Sequence, residues 1–174
     1  LIDGNKFTSY IYPDEIKKPS LYPLLTSDGA FVTRGWPLDP RPGERVDHPH
    51  HVGMWLNYGD VNGLDFWNNS VDISPEKRHH YGTVRHRSVN KMKEEKDKAI
   101  LELTADWQKP DGTNLLREDT RYIFSGSGNL RTIERVTTLT ALNEDVSMHD
   151  NKEGVLGIRL ARELEHPSNK PEVF

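Results

Sequence analysis

The segment from residue 99 to residue 142 constrains the fold most, because its apolar and polar residues alternate. In its first run, residues 99–107, alternation with period two predicts a strand with one apolar and one polar face. The apolar face carries Leu101, Leu103, Ala105 and Trp107, and the polar face carries Glu102, Thr104 and Asp106. Turns rich in Gly, Asp and Asn separate this run from two others, at 115–125 and 130–142. Long strands joined by short turns predict an antiparallel meander.

Shorter segments with strand character accompany the meander. They occupy residues 7–12, 21–25, 30–36, 51–58, 64–67 and 82–95. Residues 153–164 alternate like a strand, although Leu156, Leu160 and Leu164 would also suit a helix; two glycines favour the strand. No convincing helix is found elsewhere. The pattern therefore predicts an all-β, antiparallel β-sandwich, with a jelly roll as the alternative, formed as a single domain over residues 1–174.

Composition excludes several classes of function. The net charge is −4, whereas nucleic-acid binding normally requires a basic surface, so no nucleic-acid partner is expected. No apolar run is long enough to cross a bilayer, so no membrane insertion is expected. The chain has no cysteine, and a bound metal ion would therefore need His, Asp, Glu or Asn ligands. The sequence assigns no oligomeric state.

The candidate site lies in residues 47–67, which combine histidines, acidic residues, glycines and tryptophans. Imidazoles transfer protons near neutral pH, and aromatic faces stack on sugar rings, so this mixture predicts a polar pocket for a small-molecule carbohydrate. On an extended backbone, His48 and His50 would share one face and His51 would point away. A set of solvated loop histidines is the plainer interpretation. No cofactor is predicted, because the usual zinc spacings are absent; a divalent metal held by these three histidines is the alternative.

Other polar and aromatic residues could complete this pocket. We expect hydroxyl groups of a ligand to be held by residues from the same stretch, namely Asp60, Asn62 and Asp65. The calcium-loop pattern fails around them, so their turn is also explained by Asx-type hydrogen bonds. Trp55 and Trp67 are either stacking platforms or core residues. Arg159 and Arg162 would lie on opposite faces of a strand, so at most one reaches the site, and Arg159 is the candidate.

His149 and Glu153 form a second polar group, in a loop between two predicted strands. Acid–base chemistry on a sugar requires one group that takes a proton and one that gives it. Either residue could be such a partner for His50 or His51 if the sheets fold back on each other. The competing interpretation is a solvated turn that contains a pair between Lys152 and Glu153.

Several motifs resemble the bacterial family called methane oxygenase PmoA-like, a domain of unknown function. The resemblance is carried by residues 47–55, 59–63 and 65–67, together with 7–12, 18–24 and 152–161. It implies a fold similar to the galactose mutarotase-like β-supersandwiches, in which histidines and a carboxylate act on a sugar. It also implies an exported, periplasmic or secreted protein and a natural chain that continues beyond Phe174.

These observations lead to one hypothesis and two alternatives. The hypothesis is a carbohydrate-active enzyme in which His50 or His51 transfers a proton, with His149 or Glu153 as the partner. Epimerisation, elimination and hydrolysis all remain open. One alternative is a sugar-binding module without catalytic activity. The other is a metal protein ligated by His48, His50 and His51, with the oxygenase-type chemistry that the family label suggests.

Overall fold

A computed structural model describes residues 1–166 of the chain and shows two antiparallel four-stranded sheets. The first sheet has the order β1-β2-β3-β8, with strands Tyr10–Ile11, Ser20–Leu21, Met54–Leu56 and Leu156–Ile158. The second has the order β4-β5-β6-β7, with strands Thr83–Glu94, Lys98–Gln108, Asn114–Ser127 and Leu130–Ala141. Short 3-10 helices occupy Asp14–Ile16, Pro75–His80 and Arg162–Leu164. No helix in the described part of the chain is long and apolar enough to span a membrane.

The second sheet confirms the predicted meander and extends it by one strand. Each strand pairs with the next in the chain, as in the register of Trp107 on β5 with Val84 on β4 and Leu116 on β6. Gly112 has a φ of +84°, a backbone conformation that side chains other than glycine rarely adopt, in the turn between β5 and β6. The local alternation of residues and the turn chemistry therefore agree, and both specify this sheet.

The core lies between the two sheets, as the predicted apolar face of β5 requires. One cluster joins Ala105 and Trp107 to Val61 and Phe66, and a second joins Leu103 to Leu21 on β2. The other face of β5 bears polar contacts; for example, the Thr104 hydroxyl donates to Asp119. Burial of one apolar face of each sheet against the other is the arrangement of a β-sandwich.

The first sheet is built from much shorter strands than the sequence predicts. The predicted strand 30–36 is absent from the described residues, and this segment makes only isolated bridges, such as Thr33 with Leu160. The predicted strand 51–58 is reduced to Met54–Leu56, because residues 48–53 turn; both His48 and Gly53 have positive φ. Segment 153–164 contributes β8 and then a 3-10 helix.

The simple meander of the second sheet differs from the interleaved Greek keys of a jelly roll. The β-sandwich prediction is therefore confirmed, whereas the finer resemblance to supersandwiches stays a prediction. The expectation about the end of the chain falls on residues 167–174, which lie outside the described residues.

Candidate functional site

The histidines of residues 48–51 lie on a tight turn and form one cluster. The backbone N–H of His51 donates to the carbonyl of His48 over 2.9 Å, which closes the turn. The rings of His48 and His51 stack with centroids 4.9 Å apart and an angle of 7°, and the His50 ring meets the His51 ring edge-on at 4.4 Å. The prediction that His51 points away from the other two is wrong, because the backbone turns at His48 instead of remaining extended.

Arg34 fixes this turn through hydrogen bonds to its backbone. Its guanidinium is fully buried and donates through Nη2 to the carbonyls of His48 and His51, over 3.1 and 3.3 Å. Through Nη1 it donates to Asp47 Oδ1 over 2.6 Å. Because an arginine presents several donors in a rigid plane, one side chain can fix several acceptors at once. Arg34 was not among the predicted site residues, because it carries no local motif and lies in a segment that was predicted to be a strand.

Asp47 connects the turn to Arg159, one of the predicted binding residues. Arg159 Nη2 donates to Asp47 Oδ1 over 2.6 Å and also lies 3.3 Å from Glu165 Oε1. Partial burial alone would raise the pKa of Asp47, but hydrogen bonding to His48 and the charge of Arg159 outweigh this effect and lower the pKa. Asp47 is therefore a carboxylate at neutral pH, and Arg159 acts here as its partner.

Two tryptophans form the wall of the histidine cluster. Trp67 Nε1 donates to His51 Nε2 over 3.2 Å, and the His51 ring stacks on Trp55 at 5.1 Å. Trp55 is 2% exposed and Trp67 is 6% exposed, so both indoles are inside the protein. Because Trp67 is a donor, it requires Nε2 of His51 to be the acceptor. Stacking of either indole on a sugar ring stays a prediction.

Lys18 is the principal residue of this cluster that was not predicted from the sequence. Its Nζ lies 5.3 Å from the centroid of the Trp55 ring, and the residue is 2% exposed. Burial lowers the pKa of Lys18 to about 7, although the negative charge of Asp65 acts in the opposite direction. The negative charge of Asp65, a predicted site residue, therefore favours the protonated form of Lys18. No local feature of the sequence distinguishes Lys18 from an exposed lysine, because its burial depends on packing against Trp55, which is distant in sequence.

The imidazoles of His50 and His51 are neutral at neutral pH. Burial lowers the pKa of both to about 3, and the charge of Lys18 contributes in each case. Nε2 of His50 is buried and has no hydrogen-bond partner among the described residues, and the same holds for Nζ of Lys18 and Nε1 of Trp55. Since unpaired buried polar atoms are costly, three of them in one cluster indicate a place where a polar ligand can bind.

A second polar group lies at the surface, around Asp60 and His149. Nδ1 of His149 is 3.2 Å from Oδ1 of Asp60, and this hydrogen bond lowers the pKa of Asp60. Oδ1 of Asp60 also accepts from the backbone N–H of Gly63, which confirms an Asx-type turn. Asn62 holds the neighbouring loop, because it accepts from the N–H of Ser147 over 2.8 Å. The structure thus brings these three predicted residues together.

Glu153 is half-buried beside Gly59 and pairs with Lys152 Nζ over 3.1 Å, as the simpler interpretation of that loop required. The contacts of His149 and Glu153 lie within this surface group, whereas those of His50 and His51 lie around Arg34 and the tryptophans. The proposed proton exchange between the two groups remains a prediction.

Two features of the histidine cluster, the stacking of its rings and the hydrogen bond to His51, limit which nitrogens could bind a metal ion. Parallel stacking of His48 and His51 keeps their nitrogens in separate planes, and the Trp67 donor occupies Nε2 of His51. Within residues 1–166, no group of three or more His, Asp or Glu side chains is arranged to hold a metal ion.

Comparison with known proteins identifies the family but indicates no function. No curated protein and no solved structure matches the chain. The resemblance to PmoA-like proteins stays a prediction. A family model matches residues 1–173, nearly the whole chain, and the chain therefore belongs to the family of unknown function DUF6807.

Proposed function

We propose that this protein acts on a carbohydrate by proton transfer in the cluster of Lys18, His50, His51 and Trp55. One observation carries the proposal: three buried polar atoms of this cluster have no hydrogen-bond partner among the described residues. A sugar offers hydroxyl and carbonyl groups that would satisfy such atoms. The predicted carbohydrate class rests on the side-chain chemistry of residues 47–67 and on the family resemblance.

His50 is the base in this proposal. Its Nε2 is unpaired, whereas Nε2 of His51 accepts from Trp67. His50 is neutral throughout the physiological range, so its free lone pair can take a proton. Its low pKa makes it a weak base in the free protein, and the proposal therefore requires a bound ligand to raise that pKa. His51 then supports His50 through ring contact, and Arg34 positions both by holding their turn.

The reaction class that suits a buried, neutral base is removal of a proton from a carbon next to a carbonyl group. Epimerisation and elimination on sugars both begin with this step. Lys18 Nζ would face the oxygen of the carbonyl, where a donor stabilises the negative charge that develops as the proton leaves.

The test is solvent exchange. The protein is incubated in D2O with free aldoses and ketoses, and loss of each C–H signal is followed by proton NMR. We expect deuterium at the carbon next to the carbonyl with the parent protein, and none above background with His50→Gln. His79→Gln is the matched control, because His79 is exposed on the 3-10 helix Pro75–His80 and should leave exchange unchanged.

Other outcomes would support the alternatives. Sugar binding by calorimetry without any exchange would indicate a binding module. Stoichiometric metal in the purified protein that is lost in the His50→Ala/His51→Ala variant would contradict the proton-transfer proposal and indicate a metal protein.

A further inference from the structure

The Lys18 amine is held in an unusual environment. Lysine is almost never fully buried unless it is paired, yet Lys18 is 2% exposed, and its Nζ has no hydrogen-bond partner among the described residues. The indole of Trp55 lies 5.3 Å away and stabilises a cation without accepting a conventional hydrogen bond. No described residue therefore forms a hydrogen bond with Nζ that would have to break before this nitrogen reacts.

We propose that Lys18 forms an imine with a small aldehyde or ketone, such as the open-chain form of a sugar. This inference rests on the proposed function and names its substrate class as carbonyl compounds. Desolvated lysines in apolar surroundings are the lysines that form Schiff bases, since burial favours the neutral amine, which is the nucleophile.

The chemistry balances without an oxidant or a reductant. The lone pair of the neutral amine forms a C–N bond while the π pair of the carbonyl moves to oxygen, which takes up a proton. Nitrogen then loses a proton, the hydroxyl group leaves with a proton as water to give an iminium ion, and loss of the remaining proton from nitrogen gives the imine. Amine and carbonyl thus give imine and water. Once protonated, the imine withdraws electrons from the neighbouring carbon and makes its C–H acidic.

His50 is placed to use that acidity. The ring of His50 contacts His51 with centroids 4.4 Å apart, and His51 stacks on Trp55. Lys18 Nζ lies 5.3 Å from the centroid of the same Trp55 ring. Nε2 of His50 is unpaired among the described residues. A neutral imidazole beside an iminium ion can remove the acidified proton. The same pair of residues would therefore activate the substrate and accept its proton.

The surroundings of Lys18 suggest the size of a suitable probe. Lys18 lies in the wall of a surface cavity of about 100 Å³, which Tyr12, Lys17 and His86 also line. This cavity is not lined by Trp55, His50 or His51. Nζ of Lys18 is buried against Trp55, so only a small carbonyl compound is expected to reach the amine. Glycolaldehyde, the smallest hydroxyaldehyde, is therefore the probe.

The experiment traps the imine by reduction. The full chain is incubated at neutral pH with a small excess of glycolaldehyde and sodium cyanoborohydride, and modified peptides are mapped by mass spectrometry. We expect one preferred site, Lys18, carrying the mass of glycolaldehyde less one oxygen atom, and at least tenfold faster labelling than at any other lysine. Lys18→Arg should remove this label, whereas Lys17→Arg, the neighbouring control, should retain it.

Labelling spread over exposed lysines, with Lys18 unmodified in the folded parent protein, would overturn the inference. The parent protein alone decides this point, so a poorly folded variant does not affect the result. Deuterium exchange without trapping at Lys18 would refute the imine and leave the proposed function standing. Trapping at Lys18 without exchange on any sugar would support the imine and count against proton transfer by His50.

Discussion

Trp67 Nε1 donates a hydrogen bond to Nε2 of His51 over 3.2 Å, in the interior of the protein. An indole N–H cannot accept a hydrogen bond, so Nε2 of His51 must be unprotonated. The proton of the neutral imidazole is therefore on Nδ1. This relationship selects the tautomer of His51 and leaves His50 as the imidazole with a free nitrogen.

The tautomer of His51 can be measured directly. In nitrogen-15 NMR spectra at neutral pH, we expect His51 to show an unprotonated Nε2 and a protonated Nδ1. Trp67→Phe removes the donor but retains an aromatic ring, and the preference for this tautomer should weaken. The exposed His79 provides the internal reference, because its signals should not change. A protonated Nε2 of His51 in the parent protein would contradict the assigned hydrogen bond.

The stability of the protein should fall in mild acid. In the unfolded chain His50 and His51 titrate near pH 6.5, whereas in the folded protein their pKa is about 3. Between these values the unfolded chain binds more protons, so stability is full above pH 6.5 and is lost as the pH falls. Each histidine should contribute a slope of about 1.4 kcal/mol per pH unit.

Urea unfolding at several pH values between about 4 and about 6 checks this slope. His50→Gln should reduce the dependence of the unfolding free energy on pH by about one proton, whereas His79→Gln should leave it unchanged. An identical pH dependence in His50→Gln and the parent protein would show that His50 is not buried in its neutral form.

Replacing Lys18 by methionine should stabilise the protein. The folded state holds the Lys18 amine in an apolar wall, and an isosteric apolar side chain removes that cost, which is about 1–4 kcal/mol for buried charged groups. Burial lowers the pKa of Lys18 from 10.5 to about 7, so the gain should be full below pH 7 and shrink as the pH rises towards 10.5. Equilibrium urea unfolding measures it. Lys17→Met is the control, and a loss of stability in Lys18→Met would mean that the amine makes stabilising contacts.

Gly157 on β8 should not tolerate a side chain. It pairs with Trp55 on β3, and a Cβ at this position would overlap Cζ2 and Cε2 of the Trp55 indole. We expect Gly157→Ala to lower the unfolding free energy by about 1–3 kcal/mol, as overpacking does, and to disturb the His51 ring that stacks on Trp55. Gly154→Ala is the matched control, since nothing lies within 4 Å of a Cβ there. Equal stability of the two variants would contradict the close packing at Gly157.

The second sheet could be predicted from the sequence because its determinants are local. Leu103, Ala105 and Trp107 alternate with polar residues, and Gly112 permits the turn that follows, so pattern and turn chemistry agree without knowledge of the rest of the chain. The first sheet could be predicted only in outline, because its short strands depend on partners far away in sequence; Trp55 on β3, for example, pairs with Gly157.

The sequence by itself determined the two-sheet, all-β character of this protein and drew attention to the histidines of residues 48–51. Tertiary structure decided the backbone conformation, the burial and the pKa of those histidines. Arg34 bonds to the carbonyls of His48 and His51 and fixes a turn where an extended backbone was predicted, and His50 within this turn is buried. The same packing brings Lys18 from a distant segment onto Trp55 and removes it from water. Burial is a property of the assembled fold, and burial is what lowers the pKa of Lys18 and His50.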